Sequence, residues 1–203
     1  MPSIAVVDYV VGNLLSVRKA LDMVGASTCI TRSTRDLEQA DAIVLPGVGA
    51  FRDAQENLKE LAPTIFQHIK LGKPLLGICL GLQLLFTEST EGGAYQGLDY
   101  FRGKVVKLPV GVKVPHMGWN TLEFVQGASP IAEGINSGAY VYFVHSYYGE
   151  PVERRDTVAE TEYAVRFPAI LSRDSVYATQ FHPEKSGNVG LRLLENFVSI
   201  VRR

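Results

Sequence analysis

Leu75-Leu76-Gly77-Ile78-Cys79-Leu80-Gly81-Leu82-Gln83 runs from a short apolar strand, through a cysteine set between two glycines, into a helical stretch over Leu80 to Phe86. This is the cysteine form of the G-x-S-x-G turn, in which the nucleophile occupies a strained strand-to-helix junction and the glycines relieve crowding. The thiol is thereby pushed into the open. It also faces the positive end of a helix dipole, and the backbone N–H of Leu80 points toward where an oxyanion would form. A lone cysteine in an apolar run is otherwise a small core hydrophobe, and the glycines at 77 and 81 decide against that reading.

Outward from this turn the first half alternates short apolar runs with amphipathic segments. Ile4 to Val7, Thr28 to Thr31, Ala42 to Leu45 and Leu75 to Ile78 have strand length and no polar alternation, as strands buried on both faces do. Between them, Leu14, Val17, Leu21 and Val24 recur at helical spacing and Gly25 follows as a C′ residue. Ser33 or Thr34 caps a short helix ending near Ala40, and Pro63 divides Ala50 to Leu71 into two helical pieces. Repeated β-α units predict an α/β fold with a mostly parallel central sheet and flanking helices.

The second half reads differently, with strands expected at Lys104 to Leu108, Asn120 to Val125, Ala139 to Val144, Thr157 to Tyr163 and Ser175 to Phe181. Short turns join them, which predicts a smaller antiparallel or mixed section. Gly187 to Val201 returns to helical spacing, and Arg202 and Arg203 suit a helix C-terminus. Residues 1–203 are expected to form one domain.

A reactive cysteine needs a proton acceptor. His182 ends the apolar strand before it and is followed by Pro183 and Glu184; in extended backbone residues i and i+2 share a side, so the carboxylate can fix the imidazole tautomer. His68, in a polar helical stretch, is expected at the surface. Cys29 has no glycine frame and reads as a strand residue. Neither a C-x-x-C nor an H-E-x-x-H pattern is present, so no metal and no other cofactor is expected.

Composition narrows the classes further. Twenty Lys and Arg against 21 Asp and Glu leave a formal charge of −1, with no field to attract nucleic acid. No apolar run approaches membrane-spanning length, and Asp8 interrupts the first one, so neither a membrane span nor a secretion signal is expected. Two cysteines are too few for a disulfide scaffold, and a cytoplasmic location is expected.

Together, Gly77-Ile78-Cys79-Leu80-Gly81-Leu82-Gln83 and His182-Pro183-Glu184 resemble the class I, triad-type glutamine amidotransferase family, nearly along the whole chain. That resemblance implies a flavodoxin-like α/β fold. Pro46 to Phe51, Pro115 to Asn120, Phe143 to Tyr147 and Gln180 to Ser186 are similar to its histidine-biosynthetic branch. The resemblance implies that Cys79 attacks the side-chain amide of glutamine, that His182 hands a proton to departing ammonia, and that Glu184 orients His182. It further implies that Gln83, Ser146 and Tyr147 hold glutamine and that Gly47 and Val48 lie beside the oxyanion.

Ammonia loses its lone pair on protonation in water, so a partner that shields it is implied. In this branch the partner is a (β/α)8 cyclase, forming a heterodimer. Pro115, His116, Met117, Gly118, Trp119 and Asn120, with Asn13 and Lys185, are the residues expected to face it; Trp119 would suit the domain's own core equally well. The Gly47 to Gly49 loop is expected to present a carbonyl where an N–H is needed until the partner engages. Val10 and Val11 stand where the family has glycine, and Gly97-Leu98-Asp99-Tyr100-Phe101 departs from a glycine-leucine repeat. Alternatives are a glutaminase serving another synthase, such as pyridoxal phosphate assembly or an anthranilate-type synthase, a cysteine peptidase of related fold, or an inactive scaffold.

Overall fold

The computed structural model describes residues 1–9, 12–125 and 129–203, so Val10 and Val11 lie outside the described residues. Fourteen strands occur among these residues: β1 (Ser3–Val7), β2 (Ser27–Thr31), β3 (Ala42–Leu45), β4 (Leu75–Ile78), β5 (Phe86–Ser89), β6 (Tyr95–Gln96), β7 (Phe101–Lys107), β8 (His116–Thr121), β9 (Glu123–Phe124), β10 (Tyr140–His145), β11 (Tyr147–Pro151), β12 (Thr157–Tyr163), β13 (Val165–Arg173) and β14 (Val176–Thr179). The helices are α1 (Leu14–Met23), α2 (Thr34–Gln39), α3 (Phe51–Leu58), α4 (Ala62–Lys70), α5 (Leu80–Leu84) and α6 (Gly187–Val201).

The central sheet has the order β2-β1-β3-β4-β14-β13-β12-β9. Its first five strands pair in parallel, and β13, β12 and β9 extend it antiparallel. Alternation along the buried strands splits the core in two. Ile4, Val6, Val44, Leu76 and Ile78 pack toward α1 and α6, whereas Ala5, Val7, Ile43, Leu45 and Leu75 pack toward α2 to α5. Beside this sheet stand a two-stranded ribbon, β8 with β10, and a four-stranded sheet ordered β11-β7-β5-β6.

Local signals account for most boundaries. Gly25 follows α1 with φ +88°, and its carbonyl accepts a hydrogen bond from Arg202 of the residues just past α6, at 3.0 Å. Ser33 caps α2 by accepting the Asp36 N–H at 3.3 Å, and Pro63 sits in the first turn of α4.

Four expectations needed correction. The helix after Cys79 ends at Leu84, and Phe86 opens β5, because the carbonyls of Leu84, Leu85 and Phe86 are taken by the N–H groups of Leu98, Tyr100 and Asp99. The expected strand Asn120 to Val125 divides into β8 and β9, with Leu122 buried between them. The stretch after Tyr163 is a nine-residue strand, β13, reached through Ala164 at φ +63°. Its Pro168 lacks a ladder donor and is accommodated opposite Glu160, where the pairing shifts register. His68 is buried, its Nε2 3.2 Å from the carbonyl of Pro74, and burial holds its pKa down to about 4.

No helix among the described residues is long and apolar enough to cross a membrane.

Candidate active site

Cys79 stands between β4 and α5 with φ 53° and ψ −102°, a conformation that costs energy for any residue with a side chain. Its neighbours explain how the turn closes. A Cβ at Gly81 would lie 1.8 Å from the carbonyl oxygen of Leu45, and one at Gly77 would lie 2.8 Å from that of Gly81. Only glycine lets α5 sit this close to the sheet. The Cys79 N–H donates to Thr179 at 2.7 Å, anchoring the turn to β14.

That same strand delivers the base. β14 pairs in parallel with β4, with Thr179 beside Ile78, so the residues leaving both strands emerge on one side. His182 Nδ1 lies 2.7 Å from Glu184 Oε1, and both side chains are buried. The backbone is held in place: the His182 N–H donates to Tyr142 at 2.9 Å, and the Ser186 hydroxyl donates to the His182 carbonyl at 2.6 Å. Nε2 of His182 is buried without a hydrogen-bond partner of good geometry, yet the Cys79 sulfur is near enough to act on its charge. Burial alone would depress the imidazolium, but Cys79 and Glu184 together outweigh it and push His182 up to about 10. Hydrogen bonds of this kind commonly tighten only once substrate is bound.

A cavity of about 250 Å3 opens over the sulfur, lined by Val48, Gly49, Cys79, Leu80, Gln83, Glu91, Pro115 and the Val144 to Tyr147 stretch. It therefore brings together Cys79, Leu80, Gln83, Ser146, Tyr147 and Val48 from the residues expected to handle substrate. Gly47 is buried behind it, under the hydroxyl of Tyr9, which donates to the Pro46 carbonyl. The Gly47 carbonyl in turn receives the Leu80 N–H in a long contact of 3.4 Å. The donor expected to face an oxyanion is thus turned toward the loop.

Three further side chains contribute, and for two of them, Gln180 and Asn13, no local sequence pattern announces the role. Glu91 reaches the cavity and its Oε2 accepts the Phe51 N–H at 2.9 Å, capping α3. Gln180, fully buried, points its amide nitrogen at the Cys79 sulfur at 3.7 Å and accepts from Gln83 at 3.5 Å. Asn13, left-handed at φ 76°, donates to the same Glu184 oxygen that His182 uses. Glu91 precedes Gly92-Gly93 in a loop, the usual place for a binding charge, and that was its one clue.

Of the residues expected to meet a partner, those on β8 fall on its two sides. Met117 and Trp119 are 61% and 54% exposed, so Trp119 is no part of the core. Lys185 is exposed, while Pro115, Gly118, Asn120 and Asn13 are half-buried. His116, by contrast, is buried between the rings of Tyr163 and Phe143. Cys29 lies exposed on β2. Among the described residues no group of three or more His, Cys, Asp or Glu side chains is arranged to hold a metal.

Against known proteins, residues 5–201 match the family described as glutamine amidotransferase class-I. The chain is 51% identical over 201 residues to the imidazole glycerol phosphate synthase subunit HisH of Archaeoglobus fulgidus, covering 98% of this chain and 100% of that one. It is likewise 51% identical over 195 residues to the protein of the same name from Aquifex aeolicus, covering 95% and 94%. Among solved structures, PurLQS from Thermotoga maritima superposes with a TM-score of 0.78 at 18% identity, covering 98% of both chains, a likeness of fold.

Proposed function

Because the chain belongs to the class-I glutamine amidotransferase family, we infer that it is the glutaminase subunit of imidazole glycerol phosphate synthase, with Cys79 as nucleophile, His182 as proton carrier and Glu184 as its orienter. The observation that carries the assignment of roles is the Cys79 sulfur lying at the floor of a cavity while the buried, Glu184-bound His182 stands close enough for the sulfur to act on its charge.

Glutamine enters with its side-chain amide over the sulfur. The Glu91 carboxylate faces the α-ammonium, and the Gln83, Ser146 and Tyr147 wall holds the remainder. The sulfur adds to the amide carbon, and the C–N bond breaks as His182 gives its proton to the departing nitrogen. The charge of the Cys79 sulfur and the Glu184 carboxylate both favour the imidazolium, so opposite the thiolate His182 holds the proton that it gives up. Water, deprotonated by the now neutral His182, cleaves the thioester and releases glutamate with the thiol restored.

Ammonia leaves neutral and useful only if it is kept from bulk water, so a cyclase subunit docks over the face that carries Met117 and Trp119, in a cytoplasmic heterodimer of (β/α)8 cyclase and glutaminase. With the Leu80 N–H on the Gly47 carbonyl, the resting chain stabilises an oxyanion poorly. Glutamate release is therefore slow without the cyclase and its ligand, and equal rates with and without them contradict this. The decisive experiment combines the chain with its cyclase. Cys79→Ala abolishes glutamine-dependent product while supplied ammonium still supports the cyclase; continued glutamine use by the variant moves the nucleophile elsewhere.

A further inference from the structure

Ser146 is a one-residue switch at which the chain leaves the β8–β10 ribbon and enters the four-stranded sheet, and it forms part of the cavity wall. Two buried histidines that take no part in the chemistry brace this point. His145 places Nδ1 2.9 Å from the Tyr147 carbonyl and Nε2 3.1 Å from Nδ1 of His116, its direct partner in the ribbon. Beyond His116, the Asn120 amide approaches Nε2 at 3.5 Å and donates its other hydrogen to the Glu162 carbonyl at 2.9 Å.

The proton positions follow by elimination. A carbonyl can only accept, so the Nδ1 of His145 must carry hydrogen. Neutral His145 then has a bare Nε2, which obliges His116 to donate from its own Nδ1. The bare Nε2 of His116 finally meets the donating nitrogen of Asn120, whose oxygen is fixed by the Thr121 N–H at 2.8 Å. Burial holds both rings well below their ordinary pKa, to about 4 for His116 and about 3 for His145, so the neutral forms assumed here are those present at pH 7. Every link has one allowed direction.

The carbonyl at the end of this relay is shared. Gln83 also donates to Tyr147, at 2.8 Å, and leans through Gln180 toward the Cys79 sulfur. Both donors must be in place for the wall to keep its shape.

We propose that His116 and His145 are positioning residues: a proton-ordered pair that sets the Ser146–Tyr147 wall of the glutamine cavity from the strand bearing Met117 and Trp119. The proposal rests on the glutaminase reading above for what the cavity holds, but the ordering of the protons stands apart from it. Two substitutions at His116 separate the pair's hydrogen bond from its stacking. His116→Phe preserves a ring between Tyr163, whose centroid is 4.0 Å away, and Phe143, at 4.9 Å, but removes the donor. His116→Asn keeps an amide donor where Nδ1 stood and removes the ring.

In the complex with its cyclase, His116→Phe raises the KM for glutamine about tenfold, the scale of one buried hydrogen bond lost, with a much smaller change in kcat. His116→Asn stays close to wild type, and ammonium-dependent product confirms that each complex is assembled. The reverse ranking, Asn damaging and Phe silent, makes the histidine a packing residue and overturns the proposal. Nitrogen NMR of the wild-type chain at pH 7 supplies a readout independent of activity and of any variant's folding. Both rings are expected as Nδ1–H tautomers, and an Nε2–H tautomer at either one refutes the relay even where glutamine turnover is normal. Absence of glutamine turnover with both tautomers as expected refutes the glutaminase reading instead.

Discussion

Gly81→Ala sets two physical effects against each other. In an exposed helix the substitution is favourable by about 1 kcal/mol, because alanine loses less backbone entropy on folding. Here the new methyl would stand 1.8 Å from the Leu45 carbonyl oxygen and 2.8 Å from its carbon. That oxygen distance is about 1.5 Å inside the roughly 3.3 Å at which carbon and carbonyl oxygen first pack. Neither side can yield cheaply: Leu45 is the last residue of β3, in the middle of the sheet, and α5 is buried along its whole length. Relief requires α5 to back away from β3, carrying the Leu80 N–H and the Cys79 turn with it. Overpacking of this kind costs about 3 kcal/mol, enough to override the propensity gain. For a chain of this size that lowers the melting temperature by about 6–12 °C. Displacing reacting groups by ~1 Å also costs on the order of a hundredfold in turnover. Urea titration followed by circular dichroism, with glutamate release measured on the same samples, tests both. An unchanged or raised midpoint at constant slope would refute the claim that contact between α5 and β3 dictates glycine at 81.

Three further outcomes are expected. His182 has a folded pKa near 10, above its ordinary 6.5, so its contribution to stability is complete below about pH 6.5 and is lost as pH rises through 10. Cys79→Ala removes the strongest influence raising it, and thermal melts from pH 7 to 10 should therefore fall more steeply for wild type than for the variant; equal slopes contradict this. Trp119→Ala, at a site 54% exposed, leaves the chain's own melting within about 0.5 kcal/mol but weakens binding to the cyclase about thirtyfold, or ~2 kcal/mol, by calorimetry. Tyr9→Phe strands the buried Pro46 carbonyl, costs ~1–3 kcal/mol in urea denaturation, and changes the resting glutaminase rate by loosening the loop at Gly47; a silent variant would show that the hydroxyl does not brace the loop.

What could be read in advance was whatever the chemistry writes locally. The glycines beside Cys79 and the two-residue spacing from His182 to Glu184 are short-range patterns, and the parallel strands advertise their double burial by unbroken apolar runs. Pairings across long separations leave no such trace. Asn13 meets Glu184 from 171 residues away, and His116 meets His145 from 29. His68 hides in a polar stretch, although its ring is buried with Nε2 at the Pro74 carbonyl and Nδ1 without a hydrogen-bond partner of good geometry. β13 was concealed by Pro168, whose missing donor is harmless only because the opposing strand slips register there. Phe86 belongs by composition to the helix before it; the backbone of residues 98–101, folded against the helix end, makes it a strand.

The separation of the β8–β10 ribbon from the central sheet has an evolutionary consequence. The nucleophile and base stand on β4, α5 and the end of β14, and the ribbon reaches them only through β10, whose Tyr142 carbonyl receives the His182 N–H; the exposed Met117 and Trp119 ride on β8, which pairs with β10 alone. Substitutions on the outer face of the ribbon can exchange one ammonia recipient for another without passing through an inactive hydrolase. The inner face, with its ordered histidines, has no such freedom, so drift on this strand should alternate residue by residue between liberal and constrained.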